Sequence, residues 1–279
     1  TWGGCLDSAL KISEVITGIE DTETAAFVVK KAISAGALIS LSCNRIFMKP
    51  GTKIGDCQPI IPTQQGPVEA GEKSETVVRT HFRNLAEENG YPVHLLQAMV
   101  DKDLEVFSIR SGAEKEYVTA REFSEIVNRQ SQDFLSKIRF SDTGPALREG
   151  ASFTAEQKKI FENLESKKQK IESLGDVREF VKRDIEHRLE KTTVVGEGKL
   201  LTVFSEEAVE LNVAEKVVET RSDVIKACIG DFNGEVREIR ISWSEDLVRY
   251  IDLYAGLILL IGLACLYVEL KAPGFGVPG

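Results

Sequence analysis

The sequence has no closely spaced cysteine pair. Cys5, Cys43, Cys57, Cys228 and Cys265 are scattered along 279 residues. That spacing argues against a zinc ribbon and against a disulfide framework. No metal or organic cofactor is expected. An excess of basic charge is missing as well: 35 Lys and Arg face 44 Asp and Glu, a net charge of −9. A nucleic-acid binder needs a basic footprint, so that class is excluded. There is no internal repeat and no low-complexity linker. Histidine is scarce, with only His81, His94 and His187. What is present is length enough for one large domain or two ordinary ones. The chain opens on Thr1 rather than Met and stops soon after a hydrophobic segment. It therefore reads as a piece of a longer protein, and no signal peptide can be looked for in it.

From Leu253 to Val268 no charge occurs in 16 residues, and Glu269 and Leu270 extend the run to 18. That is near the lower limit for a spanning helix. The run is apolar all round, and Trp243, Tyr250, Tyr254 and Tyr267 lie near its ends, as aromatic residues do at a membrane interface. A transmembrane helix is expected here, with a buried core helix as the alternative. Arg249 and Lys271 flank it on either side and leave its orientation open.

Residues 1–60 read as α/β. Leu6, Ala9, Leu10, Ile12, Val15 and Ile16 have helical spacing within Cys5–Ile19. Short strands are expected at Ala25–Val29 and Arg45–Met48, with a buried helix over 34–43 between them. Such alternation implies parallel pairing. A turn follows at Pro50–Thr52, a polar loop at 61–72, a helix at about Ser74–Asn89 ended by Gly90, and a short helix from His94 to Val100. Residues 153–191 are dense in Glu, Lys and Gln and read as long, exposed amphipathic helices. Strands are expected again at Leu200–Phe204 and Lys216–Val218, with Ser205 capping a helix between them.

Chemistry is concentrated around Ala32-Ile33-Ser34-Ala35-Gly36. Small neighbours let a backbone bend sharply and a substrate approach closely. Ser34 is either an N-cap hydroxyl or a nucleophile with oxyanion-binding amides after it. Gly3 and Gly4 form a turn or present backbone amides to an anion. The segment Met48–Asp56 reads as a shaping strand–turn–strand. No histidine follows Ser34 at a spacing that suits a triad, so a lysine is the alternative base. Lys30, Lys31, Lys49, Lys53 and Lys73 are all candidates on spacing alone.

These residues carry a resemblance: T-W-G-G at 1–4, A-I-S-A-G at 32–36, M-K-P-G-T-K-I-G-D at 48–56, G-E-K at 71–73, L-A-E-E-N-G at 85–90, L-T-V-F-S-E-E-A-V-E-L at 201–211 and Y-V-E-L-K-A-P-G-F-G-V-P-G at 267–279. The chain resembles the NfeD family of membrane-bound, ClpP-class serine proteases in its long form, over about 1–106 and 200–279. The resemblance implies an α/β fold: a ClpP/crotonase-like ββα superhelix with a charged helical insertion and a C-terminal transmembrane helix. It divides the chain into a first protease part at 1–106, an insertion at 107–199, a last protease part at 200–240 and the start of a membrane region at 250–279. It implies a Ser-Lys dyad of Ser34 and Lys73, with the amides of Gly4 and Ala35, and Gly3 as the adjacent option, forming an oxyanion hole.

The implied protein is an integral membrane endopeptidase whose protease part lies outside the cytoplasm. It would assemble as a dimer or larger and cleave hydrophobic segments of stomatin-like partners. The alternatives are a non-proteolytic membrane scaffold on the same fold and a crotonase-like enzyme acting on acyl thioesters. Four positions at three sites depart from the family pattern. Trp2 stands where a proline is usual, Ile33 replaces a small residue and is expected to narrow the pocket, and Lys30-Lys31 replaces a stretch of small residues.

Overall fold

The computed structural model describes residues 3–111, 114–141, 144–148, 150–166, 174–231, 234–239 and 242–271. The chain divides into a unit ending at Gly230 and a second one from Asp231.

The first unit begins with α1 (Leu6–Thr17), β1 (Ala25–Val28), β2 (Lys31–Ile33), α2 (Ala35–Leu41), β3 (Arg45–Met48) and β4 (Lys53–Gly55). β1 and β3 pair in parallel, with Phe27 opposite Phe47. The β-α-β alternation therefore has its expected consequence, because strands joined through a crossover helix run the same way. β2 and β4 form a second parallel pair, with Ile33 opposite Gly55. Next come β5 (Ile60–Thr63), β6 (Gly66–Glu69), α3 (Glu72–Asn89) and α4 (Val93–Ala98). α3 stops where Gly90 takes a left-handed conformation at φ 74°, which a residue without Cβ adopts at little cost.

The loop expected at 61–72 is an antiparallel hairpin instead, β5 on β6 with Ile61 opposite Val68. Gly66 turns the chain at φ 118°, and the Thr63 hydroxyl donates to the Gly66 carbonyl. The polar tip at Gln64-Gln65 hides one arm rich in β-branched residues, Ile60, Ile61 and Thr63, and a second arm with only Val68.

The charged stretch also contains more strand than its composition suggests. It holds β7 (Val106–Ser111), β8 (Glu114–Thr119), α5 (Ala120–Lys137), β9 (Ile138–Ser141), β10 (Gly144–Leu147), α6 (Ala155–Ser166), α7 (Leu174–Arg188) and β11 (Thr192–Val195). β7 is the centre of an antiparallel sheet between β11 and β8. The helices are not simply exposed. Val127 and Phe134 of α5, Leu164 of α6 and Val177 and Val181 of α7 are fully buried in one cluster of their own. Few apolar residues suffice because they recur every three or four positions and share one face.

The unit closes with β12 (Thr202–Phe204), α8 (Ser205–Glu210), β13 (Lys216–Val217) and α9 (Arg221–Ile229). β12 pairs antiparallel with β4, and β13 joins the free edge of β3 in parallel. Ser205 does not cap α8; Phe204 occupies that position. The Ser205 side chain is fully buried. It accepts from the Gly51 amide at 3.0 Å and donates to Glu206 at 2.7 Å, which ties the turn after β3 to α8. The main core joins Leu38 and Leu41 of α2, Met48, Ile54, Phe82 and Leu85 of α3, and Val203.

The second unit contains α10 (Trp243–Leu253) and α11 (Ala255–Lys271). Ser242 and Glu245 form a capping box at the start of α10. The single span expected from Leu253 is broken at that point. Leu253 ends α10, Tyr254 caps it, and α11 bends away by 65°. No single described helix is long and apolar enough to cross a membrane, although α10 and α11 meet that measure together. The expected P-G-F-G motif at 273–276 lies outside the described residues.

Candidate active site

Ser34 sits where β2 passes directly into α2, at φ 55° and ψ −122°. A left-handed φ is strained for a residue with a Cβ. Its side chain makes no capping hydrogen bond. The cap reading of this serine therefore fails: the hydroxyl has no hydrogen-bond partner among the described residues, while the backbone is held in an unfavourable conformation. What holds it is the β4 end. The Ser34 amide donates to the carbonyls of Gly55 at 3.2 Å and Asp56 at 3.0 Å. Gly55 has φ 133°, and a Cβ there would collide with the Leu201 carbonyl oxygen and lie 2.9 Å from Thr202 Cα. The segment 48–56 thus shapes the serine turn.

The Ser34 carbonyl accepts from the amides of Ala37 at 2.9 Å and Leu38 at 3.1 Å. The amides of Ala35 and Gly36 have no partner among the described residues. Gly3 and Gly4 close against this turn. A Cβ on Gly3 would sit 3.5 Å from both Cβ and Oγ of Ser34, and one on Gly4 would sit 3.5 Å from Ala35 Cβ. Two backbone segments that are thirty residues apart in sequence therefore flank one hydroxyl. Trp2 lies outside the described residues.

Ser34 opens on a cavity of about 570 Å³. Gly4, Ala9, Ala35 and Leu38 line it on one side; Cys57, Ile60, Ile61, Ala70, Ser74, Val78 and Phe82 line the other. Such a site accepts an apolar group and leaves a few polar atoms to orient it. Ile33 is buried and is not among the lining residues, so it does not narrow the cavity as expected. Cys57 is no competing nucleophile. Burial pushes its thiol well up, and that thiol points to the Ser34 carbonyl at 3.7 Å.

No lysine is among the described residues that line the cavity. Lys73 lies in the first turn of α3, exposed, next to the lining residue Ser74. It has no hydrogen-bond or ion-pair partner among the described residues. Lys30 is exposed beyond β1. Lys49 follows β3 and gives its amide to the Val28 carbonyl at 2.9 Å. Lys31 and Lys53 face each other across the β2–β4 ladder. Desolvation, with the Lys53 charge second, lowers the Lys31 pKa.

The histidines are occupied or remote. His81 Nε2 lies 2.6 Å from Ser13 Oγ, and His94 pairs with Glu122 at 2.9 Å. His187 is in the last turn of α7.

The sequence reading missed the hairpin wall at Ile60 and Ile61 and the face of α3 formed by Ser74, Val78 and Phe82. The second had a signal, since the three recur every four residues.

Residues 1–144 match the family model for NfeD1b, N-terminal domain. The membrane protein NfeD1b of Bacillus subtilis is 34% identical over 105 residues, which is 38% of this chain and 23% of that protein. The membrane-bound protease PH1510 of Pyrococcus horikoshii is 30% identical over 105 residues, 36% of this chain and 23% of that one. The match thus spans about a quarter of the length of these relatives. Among solved structures, the 1510-N membrane-bound stomatin-specific protease, a lysine-to-alanine mutant in complex with a substrate peptide, superposes with a TM-score of 0.50. It is 18% identical, over 89% of this chain and 78% of that chain. At that identity the likeness concerns the mixed α/β fold.

Proposed function

The chain belongs to the NfeD1b N-terminal domain family, and from that premise we propose that it is a membrane-anchored serine endopeptidase working through Ser34 and Lys73. The observation that carries the reading is the Ser34 turn: a strained serine at a strand–helix junction, its hydroxyl uncapped, facing an apolar cavity. Strain of this kind, about 1–3 kcal/mol, persists where the surroundings enforce it and concentrates at reactive positions. The finer fold reading is a ClpP/crotonase-like superhelix, with 107–199 as an insertion that has its own core.

In this reading an apolar side chain of the substrate enters the cavity and sets its peptide carbonyl over Ser34. The Ser34 oxygen attacks the carbonyl carbon while Lys73 takes the hydroxyl proton. The tetrahedral oxyanion is held by the amides of Ala35 and Gly4, with Gly3 alongside. Lys73 then gives its proton to the leaving amine, and water releases the acyl group by the same route. The free Ala35 amide and the closeness of Gly3 and Gly4 support the oxyanion assignment. The position of Lys73 beside Ser74, with no ion pair to break, supports its role as base. A relative is named as a membrane-bound protease, and the solved neighbour as stomatin-specific. The proposed substrate is accordingly an apolar segment of a stomatin-like membrane protein, and the proposed assembly is a dimer or larger.

A second reading, a non-proteolytic scaffold, draws on one observation: Lys73 is exposed and does not line the cavity. A serine-directed phosphonate separates the two. The protease reading expects labelling at Ser34, lost in Ser34→Ala, and cleavage of a peptide from a stomatin-like protein. Loss of the base should slow that cleavage by about 10²–10⁴-fold in Lys73→Ala. Unchanged cleavage in either variant overturns the dyad, and absence of both labelling and cleavage favours the scaffold.

A further inference from the structure

We propose that α10 lies in the interface of a lipid bilayer as an in-plane elbow leading into α11. The inference rests on the membrane-anchored reading and specifies which part of the second unit crosses and which lies flat. Helical periodicity puts Trp243, Leu247, Tyr250, Ile251 and Tyr254 on one face of α10. Glu245, Arg249 and Asp252 fall on the opposite face, with Asp246 at its edge. Among the described residues this apolar face is exposed: Trp243 is 79% exposed and Tyr250 62%. A helix of this kind, apolar on one side and charged on the other, lies along a surface rather than through it.

α11 differs in kind. Its sequence, AGLILLIGLACLYVELK, is apolar all round until Glu269. Seventeen residues of helix reach about 25 Å, close to the hydrocarbon thickness of about 30 Å. With α11 across the bilayer, the 65° bend lays α10 near the membrane plane. The aromatic residues of α10 carry polar tips, which suits the boundary between headgroups and acyl chains.

A lipid surface is the occupant the observations favour over a second copy of the chain. α10 runs into α11 through a single residue, Tyr254, and an all-round apolar helix needs an apolar medium on every side. Acidic residues outnumber basic ones on α10, with Glu245, Asp246 and Asp252 against Arg249. Insertion therefore depends on apolar burial and not on attraction to anionic lipid.

The test uses the full chain carrying Trp2→Phe, so that Trp243 is its one indole, mixed with phosphatidylcholine vesicles. Flotation reports anchoring, and Trp243 fluorescence reports depth. The elbow expects co-flotation and a blue-shifted emission. Lipids brominated near the glycerol end should quench it about twofold more than those brominated near the chain ends, as a shallow position of about 5–10 Å requires. Added anionic lipid should leave the quenching unchanged, and Leu247→Asp should abolish it while flotation persists. A chain that floats with a water-like Trp243 overturns the elbow alone. Strongest quenching from the chain ends overturns it too, because α10 is then part of the span. So does a blue shift that depends on protein concentration and ignores bromine, which indicates a second copy. A chain that does not float overturns the anchor itself.

Discussion

The Ser13 hydroxyl lies 2.6 Å from His81 Nε2, across 68 residues of sequence. Ser13 also lies 2.6 Å from the Ser42 hydroxyl, which bonds the Leu38 carbonyl at 2.8 Å. This chain of polar contacts joins α1, α2 and α3. α1 begins just after Gly3-Gly4, α2 begins directly after Ser34, and α3 carries Lys73 in its first turn. The pieces of the candidate site are thus clamped together from behind.

The clamp makes stability depend on pH. Burial lowers the His81 pKa, against a smaller upward pull from Glu14 and Glu88. The unfolded chain then binds more protons than the folded one in the window between the two values. The His81 contribution is fully present above about pH 6.5 and is lost as pH falls through the lower folded value. Urea unfolding from pH 8 to pH 5 should show this slope in the parent and less of it in His81→Gln. His81→Ala should cost about 1–2 kcal/mol at pH 8, the size expected for one hydrogen bond to a buried group. Identical pH profiles for parent and His81→Gln would count against the clamp.

Ser34 gives an unusual stability signature. Replacing a capping serine by alanine costs about 1 kcal/mol, but Ser34 makes no cap bond. Ser34→Ala should therefore leave stability within about 0.5 kcal/mol of the parent. Ser34→Gly should stabilise by up to about 2 kcal/mol, since relief of the strained φ exceeds the entropy lost by glycine. Both should lose phosphonate labelling. A destabilised Ser34→Gly would mean that the backbone there is not strained.

Gly55 should be far less tolerant than Gly51. A Cβ at Gly55 meets the Leu201 backbone, whereas nothing lies within 4 Å of one at Gly51. Gly51→Ala should cost about 1 kcal/mol for its left-handed φ alone. Gly55→Ala should cost about 3 kcal/mol or more, because backbone must move and the Ser34 amide loses its acceptors. Thermal unfolding of the two variants side by side checks this, and equal shifts would refute it.

Ala70 lines the cavity and is 8% exposed. Ala70→Phe should fill part of that space. For a peptide with a large apolar residue at the cleaved bond, kcat/KM should drop by about 10–100-fold. Labelling by a small phosphonate should continue. A variant that cleaves large and small residues in the parent's ratio would show that the cavity does not select the substrate.

Several elements were legible in the sequence because their signals are local. The apolar period of α1, the extent of α3 and its Gly90 stop, the β1 and β3 strands and their parallel pairing were read from local patterns. The hairpin at 60–69 was not legible, because its tip is polar and its arms are short. The strands within 107–199 were masked by a composition dominated by charge. The helix break at Tyr254 left no mark in hydropathy, because bend and straight run share the same apolar letters.

The sequence by itself determined which residue types are available: a serine among small residues, a pair of glycines, several lysines, no suitably spaced histidine and a charge-free run. It also carried the family. It left Ser34 as either a cap or a reactive hydroxyl. The tertiary structure decided against the cap by holding Ser34 at φ 55° with no cap bond and by placing Gly3 against it. That could not be read in advance, because the strain is imposed by carbonyls of Gly55 and Asp56 on a neighbouring strand. Backbone conformation at a junction is set by such contacts between distant segments, and residue identity in a five-letter window does not record them.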